Sequence, residues 1–159
     1  MVLPDQRGNA VPGVKRAALS WILAPLLLLA LSLAACTASG PKFVEHGAAY
    51  TKETATQLLA STDISQYAQR PTTEADALRH TALTRLRRRG PAASTAAELL
   101  TKTFPSSAHG VPVYVELGSY EGTPSTILVE ATGPATGKLD TTRLWAIAKD
   151  GQILFAASR

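Results

Sequence analysis

The sequence has a single cysteine, Cys36, and only three histidines. A lone cysteine excludes an intramolecular disulfide, so the fold cannot depend on a disulfide framework. The histidines are His46, His80 and His109, and no two of them have a metal-ligand spacing such as i, i+4. We therefore predict no structural metal site.

Catalytic motifs are equally scarce. The chain lacks the Gly-x-Ser-x-Gly elbow of serine hydrolases. A pair of acids for glycoside cleavage stays open, because Glu116, Glu121 and Glu130 could approach one another across a sheet. We assign no catalytic residue and favour a non-enzymatic role over an enzymatic one.

The excess of positive charge is small once the first 35 residues are set aside. The full chain carries a net charge of +4. Without Arg7, Lys15, Arg16 and Asp5, the remainder has 13 basic and 11 acidic side chains, a net charge of +2. Nucleic-acid binding usually needs a concentrated basic face. Nucleic acid is therefore not among the predicted partners.

The longest apolar run lies near the N-terminus. Lys15 and Arg16 precede an apolar stretch that runs from residue 17 to residue 31 and contains Pro25. The stretch is shorter than the roughly 20 residues that a membrane span prefers. A basic start, an apolar middle and small residues at the end are typical of a signal peptide. The alternatives are a secretory signal cleaved elsewhere and an uncleaved transmembrane helix.

The stretch ends in Leu33-Ala34-Ala35-Cys36, which resembles the lipobox of bacterial lipoproteins. In that family, signal peptidase cuts before the cysteine once its sulfur carries a diacylglyceryl group. The resemblance implies that residues 1–35 are a signal peptide and that Cys36 carries diacylglycerol, with or without an N-acyl chain. It also implies a protein lipid-anchored in the cell membrane and facing outside the cytoplasm. It covers only the first 36 residues and implies nothing about the fold of the remainder.

After Cys36, the sequence predicts a tether and one domain. Residues 36–46 are small, polar and interrupted by Gly40 and Pro41, which indicates a flexible tether. Residues 47–159 are enough for a single domain with a hydrophobic core. Because about ten flexible residues reach only about 16 to 19 Å, we expect this domain to lie close to the membrane.

The first half of the domain has helical patterning. Helices are predicted at residues 47–60, 73–89 and 95–104. Thr73 with Asp76 is a capping-box pattern for the second helix. Gly90 and Pro91 fit the end of that helix, because glycine favours the C-terminal cap and proline cannot continue the helix. Thr95 then marks the start of the third helix.

From Val111 onward, apolar residues recur at every second position, which is typical of β-strands. Strands are predicted at residues 111–117, 127–131, 144–149 and 152–157. Asp150-Gly151 favours a tight hairpin between the last two. We therefore predict an α+β fold, in which two or three N-terminal helices pack on one face of a four-stranded antiparallel meander sheet.

The alternation also predicts which side chains face the helices. The inward set is Val113, Val115, Ile127 and Val129, joined by either Leu144 and Ala146 or Trp145 and Ile147. The opposite face is predicted to carry Tyr114, Glu116, Leu128 and Glu130. That face is either solvated or a binding surface, on which Tyr114, Glu116 and Glu130 would contact a partner.

Four arginines close the second predicted helix, namely Arg85, Arg87, Arg88 and Arg89. They either complement the helix dipole or contact anionic headgroups or an acidic envelope polymer. Acyl chains contribute about 0.8 kcal/mol per buried CH₂, so two or three of them anchor the protein by well over 10 kcal/mol. Each basic residue at a charged surface adds only about 1 kcal/mol. The arginines would therefore orient the domain rather than attach it.

Two functions follow from these observations. The first is a membrane-anchored envelope lipoprotein whose small domain is a non-catalytic binding or scaffold module for another envelope protein. The alternative is a small-ligand carrier or enzyme with a pocket between the helices and the sheet. A concave apolar cavity with convergent polar groups favours the second, and a solid core favours the first.

Overall fold

The structure is a computed structural model that describes residues 40–104 and 110–159. The lipobox, Cys36 and His109 lie outside the described residues. The strands are β1 (Lys42–Val44), β2 (Ala49–Tyr50), β3 (Val111–Tyr120), β4 (Thr123–Thr132), β5 (Thr141–Ala148) and β6 (Ile153–Ser158). The helices are α1 (Lys52–Ser61), α2 (Ala75–Arg87) and α3 (Pro91–Thr103), with a 3₁₀ turn at Thr72–Glu74. The described part of the chain is thus α+β, with three α-helices and a six-stranded mixed sheet.

The four predicted antiparallel strands are confirmed as a meander, in the order β3-β4-β5-β6. β3 and β4 are longer than predicted, because residues 118–120 and 123–126 continue the ladder up to a two-residue turn. That turn is Glu121-Gly122, with φ of 47° and 78°. Positive φ at both positions is what a type I′ hairpin turn requires. The turn between β5 and β6 contains Asp150-Gly151, as predicted.

Two short strands precede the helices, and the sequence analysis missed both. β1 and β2 pair in parallel with β3, with Lys42 opposite Tyr114 and Tyr50 opposite Tyr120. The prediction of a flexible tether is therefore wrong for residues 42–44, and Phe43 packs against the core. Strands of two and three residues are too short for alternation to reveal them.

The first helix begins later than predicted. α1 starts at Lys52, because Thr51 forms a capping box with Thr54. The Thr54 hydroxyl accepts from the Thr51 amide at 2.8 Å, and the Thr51 hydroxyl accepts from the Thr54 amide at 3.4 Å. Residues 47–50 instead run beside β3, where the Gly47 amide donates to the Leu117 carbonyl at 2.9 Å.

The junction between α2 and α3 also differs from the prediction. α2 ends at Arg87, and Gly90, with φ of 125°, is the N-terminal cap of α3 rather than the C-terminal cap of α2. Pro91 is the first residue of α3, a position where its missing amide hydrogen costs nothing. Thr95 does not cap the helix, since its hydroxyl donates to the Pro91 carbonyl at 3.1 Å.

Helices cover both faces of the sheet, which corrects the prediction of a one-sided arrangement. One face packs on α2 and α3 and includes Val115, Leu128, Trp145 and Ile147. The other face packs on α1 and includes Ile127, Val129, Leu144 and Ala146. Both alternatives for the β5 side chains are therefore realised, one on each face. Val115 and Ile127, which were predicted to share a face, lie on opposite ones because Ile127 is opposite Glu116 in the ladder.

Candidate functional site

The predicted sheet-face residues Tyr114, Glu116 and Glu130 do not form one surface. Glu116 lies opposite Ile127, and Glu130 is three residues after Ile127 on β4, so the two carboxylates point to opposite faces of the sheet. Only 2% of Glu116 and 0% of Glu130 is exposed. The prediction of a sheet-face contact through these glutamates is therefore wrong. The sheet itself also separates the two acids, so they cannot act as a pair.

Glu116 holds β2 against β3. Its Oε1 accepts from the Ala48 amide at 2.5 Å, and its Oε2 accepts from the Tyr50 hydroxyl at 2.7 Å and from the Tyr114 hydroxyl. Burial, followed by the hydrogen bond to this carboxylate, raises the pKa of Tyr50 to about 12 and also raises the pKa of Tyr114. The Lys42 ammonium lies 5.4 Å from the centre of the Tyr114 ring. Both phenols therefore remain protonated donors at neutral pH.

Glu130 is the centre of a second buried network, on the α2 and α3 side. Its Oε1 accepts from Arg79 Nη1 at 2.9 Å, and its Oε2 accepts from Trp145 Nε1 at 2.8 Å. Burial raises the pKa of Glu130 to about 7, although the bonds from Trp145 and Arg79 favour the ionised form. This carboxylate therefore titrates near neutral pH while surrounded by the core.

Arg79 is the polar core residue that the sequence analysis missed. Only 6% of it is exposed, and its guanidinium also donates to the carbonyls of Gly110 at 3.1 Å and of Leu100 and Phe104 at 3.3 Å. It thus joins α2 to the end of α3 and to the residue before β3. Its position could have identified it, because Arg79 falls on the same helical stripe as the buried Ala75 and Ala82.

The four predicted arginines divide into two pairs. Arg85 and Arg87 are half-buried. Gly40 lies against the stem of Arg85, where an added Cβ would come within 2.9 Å of the Arg85 Cβ. Arg87 donates to the Thr101 hydroxyl at 2.9 Å. Arg88 and Arg89, which follow the last turn of α2, are exposed.

Arg89 lines a small surface groove, which we call the Lys42 groove. Its volume is about 380 Å³, and it is lined by Gly40, Lys42, Asp63, Gln66, Arg89 and Val113. The groove brings together the start of the described chain, the loop after α1 and the end of α2. The sequence analysis named Arg89 as a candidate contact residue but not Lys42, which it placed in the tether.

A larger groove, which we call the α3 groove, lies between α3 and the β3–β4 hairpin. Its volume is about 570 Å³, and it is lined by Ala92, Thr95, Ala96, Leu99, Leu117, Gly118, Pro124, Ser125, Thr126 and Lys149. Small side chains on the helix and on β3 leave this space. The Ser125 hydroxyl is held by the Thr123 carbonyl at 2.6 Å. The residues that line the groove therefore offer aliphatic surface, hydroxyl groups and one ammonium group.

Three further findings concern metal binding, membrane-spanning helices and similarity to known proteins. Within residues 40–104 and 110–159, no three histidine, cysteine, aspartate or glutamate side chains are placed to hold a metal ion. Among the described helices, none is both long and apolar enough to cross a bilayer. Comparison of the chain with protein-family models, curated proteins and solved structures gives no significant match.

Proposed function

We propose that the protein is a membrane-anchored envelope lipoprotein whose α+β domain is a non-catalytic binding module. The lipobox resemblance at residues 33–36 supports the anchor at Cys36. The observation that carries the binding role is the α3 groove, a concave surface of about 570 Å³ on a scaffold whose sheet is covered on both faces. Its occupant would be an apolar side chain or loop of another envelope protein.

The engagement of the two buried carboxylates favours binding over catalysis. Every carboxylate oxygen of Glu116 and Glu130 accepts a hydrogen bond of 2.9 Å or less from Ala48, Tyr50, Arg79 or Trp145. A general acid or base must instead reach a proton on the substrate. These glutamates hold the strands and helices together, which leaves recognition to the exposed groove.

The anchor is tested by mass spectrometry of the protein isolated from membranes. We expect an N-terminal peptide that begins at Cys36 and carries the mass of a diacylglyceryl group. Cys36→Ala is expected to leave the protein unprocessed and without that mass. An unmodified Cys36 or an intact Met1 in the wild-type protein would refute the anchor.

The binding role is tested by site-specific photo-crosslinking in the native cells. A photoreactive amino acid at Thr95, which is exposed and lines the α3 groove, should give one discrete crosslinked partner. Filling the groove with Ala92→Trp should abolish that product. The same reagent at His80, exposed on α2, is the matched control. Equal products from both positions, or a product unaffected by Ala92→Trp, would contradict this assignment of the binding surface.

The alternative function, a small-ligand carrier or enzyme, uses the same groove. Its volume of about 570 Å³ falls within the roughly 300 to 1,000 Å³ that is typical of small-molecule sites. Native mass spectrometry of the purified protein distinguishes the binding module from the small-ligand carrier. A co-purifying small molecule that Ala92→Trp removes would favour the carrier, whereas a protein free of such a molecule supports the binding module.

A further inference from the structure

We propose that Lys42, Arg88 and Arg89 form the face of the domain that rests on the anionic headgroups of the membrane. The proposal rests on the lipid anchor at Cys36. It goes beyond the anchor because it assigns which side of the domain faces the bilayer and which residues hold it there.

The first observation is where the anchored chain enters the domain. Gly40 lies against Arg85 in the last turns of α2, and β1 begins two residues later. Four peptide units separate Cys36 from Gly40, and fully extended they span at most about 14 Å. An acylated Cys36 at the headgroup level therefore keeps Gly40, and the end of α2 beside it, within that distance of the bilayer.

The second observation is the charge found at this point of entry. Lys42 and Arg89 line the Lys42 groove, Arg88 precedes Arg89, and all three side chains are exposed. The acid in the same groove is Asp63, whose carboxylate accepts from the Ser65 amide at 2.8 Å and from the Ser65 hydroxyl at 3.0 Å. These bonds lower the pKa of Asp63, so it stays anionic. Two exposed cations against one anion leave the groove net positive, and the exposed Arg88 beside it adds a third cation, which complements an anionic bilayer.

The other two arginines of the cluster are half-buried, whereas Lys42 is exposed although its ammonium lies 5.4 Å from the centre of the Tyr114 ring. The stem of Arg85 packs on Gly40, and Arg87 donates to Thr101 at 2.9 Å. Of the four arginines, only Arg88 and Arg89 therefore belong to the proposed membrane contact. Lys42 is its third residue.

The sheet order gives the opposite side of the domain. β1 and β6 lie at opposite ends of the path β1-β3-β4-β5-β6. Four strand spacings of about 4.8 Å separate them by about 19 Å. If the β1 side rests on the bilayer, the turn between β5 and β6 lies farther from it, and a fluorophore at each site reports the orientation.

The experiment uses the lipidated protein in vesicles of phosphatidylcholine with 30% phosphatidylglycerol. Because Cys36 is acylated, Gln66→Cys or Gln152→Cys provides the only free thiol for a donor fluorophore, with the acceptor in the headgroup layer. Both positions are exposed, Gln66 in the Lys42 groove and Gln152 just before β6. We expect stronger energy transfer from position 66 than from position 152.

Charge dependence separates this proposal from simple tethering. Replacing Lys42, Arg88 and Arg89 with glutamine should reduce the preference for this orientation about 100-fold, or about fivefold per residue. The matched control, Lys52→Gln with Lys102→Gln and Arg159→Gln, removes the same charge elsewhere and should preserve the difference in transfer. Salt at 1 M, where the screening length is about 3 Å, should act like the first triple variant. Unchanged Trp145 fluorescence would verify that each variant is folded.

The outcomes distinguish the two proposals. A wild-type protein that fails to bind vesicles overturns the lipid anchor, and the orientation with it. A protein that binds but shows equal transfer from both positions overturns the orientation alone. The orientation is also overturned if the difference in energy transfer persists in the first triple variant, or if the control variant removes it.

Discussion

The buried pair of Arg79 and Glu130 predicts an asymmetric response to mutation. Arg79→Met leaves the carbonyls of Gly110, Leu100 and Phe104 without this donor and leaves the Glu130 carboxylate with Trp145. The Leu100 carbonyl keeps the Phe104 amide as a donor, so the main loss is the partner of a buried charge, which costs about 3 to 5 kcal/mol. A buried acceptor that is left without a donor adds about 1 to 3 kcal/mol. We therefore expect Arg79→Met to lower the free energy of unfolding by at least about 4 kcal/mol at pH 7.5.

Glu130→Gln is expected to cost much less. The guanidinium of Arg79 keeps its three carbonyl acceptors, and the new amide oxygen still accepts from either Arg79 or Trp145. We expect the free energy of unfolding to stay within about 2 kcal/mol of the wild-type value at pH 7.5, since one donor at most loses its acceptor.

The same pair predicts a pH dependence. Burial raises the pKa of Glu130 from 4.5 to about 7, so the folded state holds this proton more tightly than the unfolded state. The resulting stabilisation is complete below about pH 4.5 and is lost as the pH rises through about 7. The difference between these two pKa values corresponds to about 3 kcal/mol of unfolding free energy. Because glutamine does not titrate, Glu130→Gln should gain about 3 kcal/mol relative to wild type between pH 4 and pH 8.

Urea denaturation followed by tryptophan fluorescence measures both effects. Trp145 is the only tryptophan after residue 35, and it belongs to the network. Glu98→Gln, an exposed change on α3, is the control and should not alter the pH profile. Equal losses for Arg79→Met and Glu130→Gln would refute the structural argument. If the difference in unfolding free energy between wild type and Glu130→Gln stays constant from pH 4 to pH 8, the titration assigned to Glu130 is refuted.

Three other predictions concern the opposite face of the sheet. The ultraviolet absorbance of the folded protein at pH 10.5 should show little ionised Tyr50 or Tyr114, since burial raises both pKa values. Unfolding in urea should ionise most of the four tyrosine side chains, and Tyr50→Phe with Tyr114→Phe should reduce that increase in absorbance by about half. Gly118→Ala should lower the free energy of unfolding by about 1 to 3 kcal/mol, because its Cβ would lie 2.4 Å from the Ala48 carbonyl; an unchanged urea midpoint would contradict that close approach. Glu116→Leu should cost about 1 to 3 kcal/mol, since it removes the acceptor of three partly exposed donors, and an unchanged urea midpoint would show that water replaces the carboxylate.

The antiparallel meander could be predicted because its residues alternate and its turns contain Gly122 and Gly151. The packing of helices on both faces of the sheet could not be predicted from the sequence. Leu144 and Trp145 are both apolar neighbours, and their pattern is equally compatible with either one facing inward. The position of α1 on the second face explains why both sets of side chains are buried. That packing depends on contacts between residues far apart in the sequence.

The site residues were predicted unevenly for a related reason. Arg88 and Arg89 are exposed, as a run of like charges at the end of a helix indicates, and their contact with an anionic surface stays a prediction. Glu116 and Glu130 were misjudged because a glutamate in a strand usually faces solvent, and their partners Tyr50 and Arg79 lie 66 and 51 residues away. Burial of such an acid depends on donors that local pattern does not identify.

The parallel pairing of β1 and β2 with β3 determines the order in which the domain can assemble. Lys42 pairs with Tyr114, and Tyr50 pairs with Tyr120. On a chain that emerges from its N-terminus, β1 and β2 must wait as unpaired segments until about 70 more residues have followed. A translocating or nascent chain halted before β3 would hold three helices without a sheet to cover. The appearance of β3 is therefore the earliest step at which the first residues of the domain can join its sheet.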